Sequence, residues 1–151
     1  YGNGAERTLG NQNPGACFAN INFNRHGRAH LLRAAQEGIV FALNYGCEIM
    51  NAIGVKISTV RAGYANMFLS PLFASAFATV TNAAVELYNT DGAQGAARGA
   101  GIGIGFYASA KQAFAGLRSV QTIEPRGDQR EPYLQAYQSW LKTLNRQLEN
   151  S

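Results

Sequence analysis

The chain has 151 residues, 46% of them hydrophobic and 15% charged, with a net charge of +4. That is enough for one domain with a single core, and too apolar for a disordered segment. The cations are scattered rather than clustered, which argues against a nucleic-acid interface. Cys17 and Cys47 stand outside any CxxC or metal-ligand spacing and read as two free thiols in a reducing cytosol. The most apolar stretch, Ala93 to Tyr107, is short and is broken by Gln94 and Arg98, so it does not suit a membrane span. A soluble, cytoplasmic protein with no membrane partner is the expectation.

The opening YGNGAERTLGNQNPG is almost all turn chemistry. It carries neither Met nor an apolar signal segment, and reads as a processed product or as a piece of something longer. Ala16 to Asn24 then alternates. Cys17, Ala19, Ile21 and Phe23 face one way and Phe18, Asn20, Asn22 and Asn24 the other, which predicts a half-buried strand.

Arg28 to Ala52 repeats apolar residues at spacings of three and four, from Leu31 through Ile39 and Leu43 to Met50. This predicts a helix of about 37 Å, with Gly54 as its terminal glycine. Lys56 to Arg61 (KISTVR) is β-branched, lies between Gly54 and Gly63, and predicts a strand. Ser70 and Pro71 form a cap and first turn for a helix to about Thr79, or for one that begins a turn earlier, at Met67.

Ala84 to Tyr88 (AVELY) predicts another strand, and Asp91 caps a helix over Gly92 to Tyr107. Lys111 to Arg130 reads as irregular. Pro132 opens a last amphipathic helix with Tyr133, Tyr137, Trp140, Leu141 and Leu144 on one face. Strands alternating with helices predict an α/β layer architecture whose later strands are parallel. Ligands in such sheets bind beyond the carboxyl ends of the strands.

Two turns fall there. Ala62-Gly63-Tyr64-Ala65-Asn66 follows a strand and precedes a helix, as does the turn from Asn89 to Gly95. Each is either a phosphate-binding turn or a tight turn with no ligand. The glycines at 92, 95, 99, 101, 103 and 105 make poor helix material unless the helix lies close to a neighbour or a ligand. GAGIGIG does not match G-x-G-x-x-G and is not in a first strand-to-helix turn, so it does not argue a dinucleotide cofactor. His26 and His30 lack the third ligand a zinc site needs, and no metal site is assigned. No Ser/His/Asp set or Cys/His pair stands out.

Four ordered segments carry a resemblance. Gly4-Ala5-Glu6-Arg7-Thr8-Leu9-Gly10-Asn11 resembles the G-E-R-T-P-x-N segment of the FGGY carbohydrate kinases, xylulose kinases in particular. Arg28 to Leu43 is similar to their R-A-x-x-x-R-A-x-x-E-G-x-x-F-A-L. Arg61 to Pro71 sits at their G-G-G-A-x-S loop, and Asp91 to Ala97 at their D/E-G-x-A-L-G-A-A. Together the four cover residues 4 to about 107, and the helix from Tyr133 to Trp140 also resembles the one that closes these enzymes. Ala65 to Leu69 further resembles a segment that borders the adenine in glycerol kinases.

The resemblance implies an actin-like ATPase (ribonuclease H-like) domain with a layered mixed sheet. Residues 1–151 would be the C-terminal nucleotide-binding domain, truncated at its N-terminus by two strands. The whole enzyme would be an ATP-dependent kinase with ATP and magnesium as cofactors and a ketopentose such as xylulose as substrate. The catalytic Asp and the sugar site would lie on an N-terminal domain of the same chain. Nucleotide-binding residues would be Ala62, Gly63, Tyr64, Ala65, Asn66, Met67, Gly92 and Gly95, with Gly63 and Ala62 letting backbone approach the phosphates. Apolar surface left by the missing strands would favour self-association. The departures are Ala62-Gly63-Tyr64 at the family's three glycines, Met67 at its serine and Gln94-Gly95 at its Leu-Gly. They open a second reading, a degenerate kinase-like domain serving association or sensing.

Overall fold

The computed structural model describes residues 6–149; the first five, including Gly4 and Ala5 of the resemblance, lie outside it. The chain enters through a closed turn. Glu6 and Gln12 pair as an antiparallel bridge, and Leu9 is buried between them. Thr8 stands near Gly46 of the first helix, 3.9 Å from where a Cβ would be.

That helix, α1, runs Arg28–Ala52, as its periodicity predicts. Gly54 follows with φ +91°. Its N–H donates to the Asn51 carbonyl and that of Val55 to Met50, both at 3.0 Å. This is a Schellman stop, and glycine supplies the left-handed residue it needs. The same device ends the third helix, with Gly105 at φ +74° and Phe106 N–H on the Gly101 carbonyl at 2.9 Å.

Strand β1 (Thr59–Gly63) pairs in parallel with β2 (Ala84–Tyr88), Arg61 beside Glu86 and Gly63 beside Tyr88. The predicted strand Lys56–Arg61 begins three residues and ends two residues before β1, and β2 matches. Between them come a 3-10 turn, Asn66–Leu69, and helix α2, Pro71–Thr81. Helix α3 (Gly92–Gly103) follows β2, then the single turn α4 (Ala110–Ala113), strand β3 (Ser119–Ile123) and the closing helix α5 (Gly127–Glu149). Among the described residues the sheet is ordered β1-β2-β3, with β3 antiparallel to β2. Mixed α/β layering is thus confirmed.

Four expectations need correction. Ala16 to Asn24 is not a strand. Phe18 and Phe23, on its two opposite faces, are both largely exposed. Local bonds bend the segment instead: Asn20 has φ +59° and Asn22 Oδ1 accepts from Asn24 N–H at 3.0 Å. Alternation specifies a strand only where one face has a surface to bury against. The third helix ends at Gly103, not Tyr107, because of the Gly105 stop.

Strand β3 lies inside the stretch read as irregular. Its apolar residues, Val120 and Ile123, are three apart, so they fall on opposite faces and give no alternation. The last helix starts at Gly127 and carries Pro132 inside it. Its start is pinned from elsewhere: buried Thr79 accepts from the Arg126 N–H at 3.1 Å, and the Arg126 guanidinium pairs with Asp128 at 3.0 Å.

The core lies between the sheet and α1, α2 and α5. Val85 and Leu87 of β2 are fully buried against Phe73, Phe77 and Tyr137. Helix α1 packs chiefly on α2 rather than directly on the sheet. The Tyr137 hydroxyl reaches Glu48 Oε2 of α1 at 2.8 Å, which satisfies it in an otherwise apolar setting. Cys17 is exposed, Cys47 is buried and neither is bridged. Among the described residues no helix is long and apolar enough to cross a membrane.

Leu87→Ala is expected to lower stability by about 2–5 kcal/mol, since it empties a closed site. Leu32→Ala, 58% exposed on α1, should change it by about 0.5 kcal/mol or less. Urea titration of both variants measures the difference; equal losses would refute this placement of the core.

Candidate functional site

Strands β1 and β2 end side by side, and both turns leave from that end. Tyr64 N–H extends the ladder to the Tyr88 carbonyl at 2.8 Å. Each strand then closes a tight turn of its own, Ala65 N–H to the Gly63 carbonyl at 2.8 Å and Thr90 N–H to the Tyr88 carbonyl at 2.7 Å. The second turn runs over the first. A Cβ on Gly63 would overlap the Thr90 carbonyl oxygen and lie 3.0 Å from its carbon and 3.2 Å from Asp91 Cα. Glycine here is required by the protein's own backbone. The space over its Cα, where the resemblance would bring the phosphates, is taken by Thr90.

A cavity of about 280 Å³ opens beside these turns. Ala62, Gly63, Ala65, Asn66, Met67 and Gly92 line it. Six of the eight residues singled out in the sequence therefore converge. Tyr64 and Gly95 are not among its lining residues. Tyr64 is about half exposed, and Gly95 faces open space one turn into α3. Asn66 takes φ +51°, the left-handed conformation that asparagine tolerates, and this turns the chain into the 3-10 segment.

Apart from Asp91, the remaining wall carries no turn signal in the sequence. Ile39 and Leu43 of α1, Phe68, Phe73 and Asp91 complete it. One signal was available. The buried face of α1 carries Val40, Phe41, Asn44 and Cys47, while Leu32, Ile39, Leu43 and Met50 form a second apolar stripe that is exposed. An apolar arc wider than one packing face leaves residues for another task. Ser70 holds the two walls together: its hydroxyl donates to Gln36 Oε1 of α1 at 2.7 Å and accepts from Phe73 N–H at 3.4 Å.

Asp91 caps α3, its Oδ1 accepting from Gln94 N–H at 2.8 Å. That bond, with help from the Gln94 side chain, holds the carboxyl below its ordinary range. On the outer sheet face, Glu86 accepts from Arg61 Nε and Tyr88 OH, both at 2.9 Å, and these bonds likewise depress it. His26 and His30 each accept a backbone N–H through Nδ1, from Asn22 and Gly27. No group of three metal-binding side chains occurs among the described residues. A larger hollow, about 420 Å³, lies between residues 14–20 and the end of α5. It borders no strand end and no helix start, so the smaller cavity is the better candidate.

The fold recurs in solved structures. Xylulose kinase from Rhodospirillum rubrum superposes on 89% of this chain with a TM-score of 0.69 and 24% identity. The fold is that of one part of an FGGY carbohydrate kinase. A xyloylose kinase from Brucella ovis matches 84% of the chain (TM-score 0.67, 24% identity), and Plasmodium falciparum glycerol kinase, solved with ADP, matches 89% (TM-score 0.65, 22% identity). The chain spans only about a quarter of each kinase, 28%, 26% and 27% respectively. No protein-family model and no curated protein matches its sequence.

Two of the glycines singled out in the sequence predict opposite outcomes. Gly63→Ala should destabilise by about 1–3 kcal/mol, because backbone must shift to admit the methyl. Gly95→Ala, in open helix, should stabilise by about 0.5–1 kcal/mol. Thermal unfolding of the two variants measures both signs, and a harmless Gly63→Ala would refute the close turn.

Proposed function

We propose that this chain forms one wall of the nucleotide cleft of an ATP-dependent sugar kinase, as its C-terminal domain. The observation that carries the reading is the cavity at the carboxyl ends of two parallel strands, in a fold shared with kinases of which one was solved with ADP. Its lining suits a base. Leu43, Ile39 and Phe68 offer apolar faces, Asn66 offers an amide, and Gly92 leaves the start of α3 unobstructed. At about 280 Å³ it lies just below the usual range for small-molecule sites, about 300–1,000 Å³. That matches a base held here with the sugar and phosphates running on into the cleft.

ATP with magnesium supplies the transferable phosphoryl group in such enzymes. This chain's residues bind the base, orient the nucleotide and keep water from one side. Asp91, already engaged as a cap, is not assigned to the metal. Transfer to a sugar hydroxyl, xylulose being the first candidate, needs a base and an acceptor site on a further domain. The 151 residues alone are expected to turn over no sugar.

The test is calorimetric titration of the intact protein with ADP. Leu43→Asp places a carboxylate beside the bound base while changing a residue already 45% exposed. The expected result is a Kd raised at least about tenfold, or about 1.4 kcal/mol, with the unfolding midpoint unchanged. An unaltered Kd would refute this placement. Failure of the unmodified protein to bind ADP would favour the degenerate, non-catalytic reading instead.

A further inference from the structure

Arg98 makes a set of contacts that the nucleotide reading leaves unused. It lies on α3 and reaches back toward the helix start. Its Nη1 donates to Thr90 Oγ1 at 2.9 Å and its Nη2 to Gln94 Oε1 at 3.4 Å. The guanidinium carbon stands 5.8 Å from the centre of the Phe114 ring. Arg98 is itself partly buried.

Thr90 is the residue whose carbonyl packs on Gly63. Its N–H is fixed by the Tyr88 carbonyl, so its backbone is held at one end. Among the described residues its hydroxyl otherwise makes only a 3.4 Å contact with the Asp91 carbonyl. Arg98 therefore supplies the short bond on the side-chain end of the residue that sets the distance between the two turns. The charge of Arg98 also acts on Asp91, the next residue, which borders the cavity.

We propose that Arg98 is a positioning residue for the cleft. Its planar fork holds Thr90, and through the Thr90 carbonyl it fixes the path of the Gly63 turn and the opening between Asn66 and Gly92. The proposal rests on the nucleotide reading above. Arginine suits the task because one guanidinium can donate to Thr90 and Gln94 at once while its face lies over Phe114. Lysine would keep the charge and lose the fork. Helix α3 does not depend on Arg98 to stay folded, since Asp91 caps its start and the Gly105 stop, with Tyr107 packed on Gly101, closes its end.

The experiment compares unmodified intact protein with R98M, R98K, T90V and the R98M/T90V pair. ADP affinity is read by calorimetry, and amide exchange over residues 63–66 is read without nucleotide. R98M and T90V are each expected to weaken ADP binding by about tenfold, and the pair no more than either alone, because both remove one hydrogen bond. R98K should recover only a small part of the loss. Exchange over 63–66 should speed in R98M and T90V, with the unfolding midpoint nearly unchanged. R98M that binds ADP normally, losses that multiply in the pair, or unchanged exchange would each overturn the proposal. Absence of ADP binding by the unmodified protein would overturn the nucleotide reading and the proposal with it. The exchange result would still report separately on the Arg98–Thr90 link.

Discussion

The closeness of two strand-to-helix turns governs the rest of this structure. Parallel neighbours lie about 4.8 Å apart, and both turns leave at the same end. The turn from β2 must pass over the turn from β1. It does so by placing the Thr90 carbonyl where a side chain at position 63 would stand. A hydrogen atom in place of a methyl at Gly63 thus sets the path of the second turn, while Tyr64 continues the ladder beside it. The candidate cavity is the space left to the side of that contact.

Helix α1 is the other determinant, and it works on two faces. Val40, Phe41 and Cys47 enter the core, where Phe41 meets Tyr137 with ring centres 5.6 Å apart. Asn44 is buried but not unsatisfied, since its amide donates to Glu48, which also accepts from Tyr137. A quarter-turn away, Ile39 and Leu43 stand over the cavity, and Gln36 takes the Ser70 hydroxyl. One rigid helix therefore ties core packing to the shape of the site. Changes on its buried face should be felt at the cavity through this rigid link, as expected of a close-packed interior.

The long helix and the β2–α3 unit were legible in the sequence because each has a full set of local signals. Periodicity, a glycine stop and a capping aspartate all point the same way at Arg28–Gly54 and Ala84–Gly92. Where tertiary context decides, the sequence was mute or misleading. Alternation at Ala16–Asn24 had no sheet to join, and Val120 and Ile123 gave no alternation although β3 does pair. At the site, the strand ends and five of the lining residues fall in turns that the sequence marks, while Met67 enters only through the resemblance. The reason for Gly63 was not legible, because the atom that excludes a side chain belongs to a residue 27 positions away. Nor were Ile39 and Leu43, because a wide apolar arc on α1 does not say which part of it faces a cavity. In the sequence Arg98 is one of several scattered cations, and its contacts with Thr90, Gln94 and Phe114 distinguish it.

A crystal structure of the intact protein with ADP tests the central claim most directly. The account predicts the adenine beside Asn66, between Leu43 of α1 and the start of α3, with the Gly63–Thr90 contact intact. ADP bound elsewhere, or bound only after Thr90 has moved off Gly63, would contradict it.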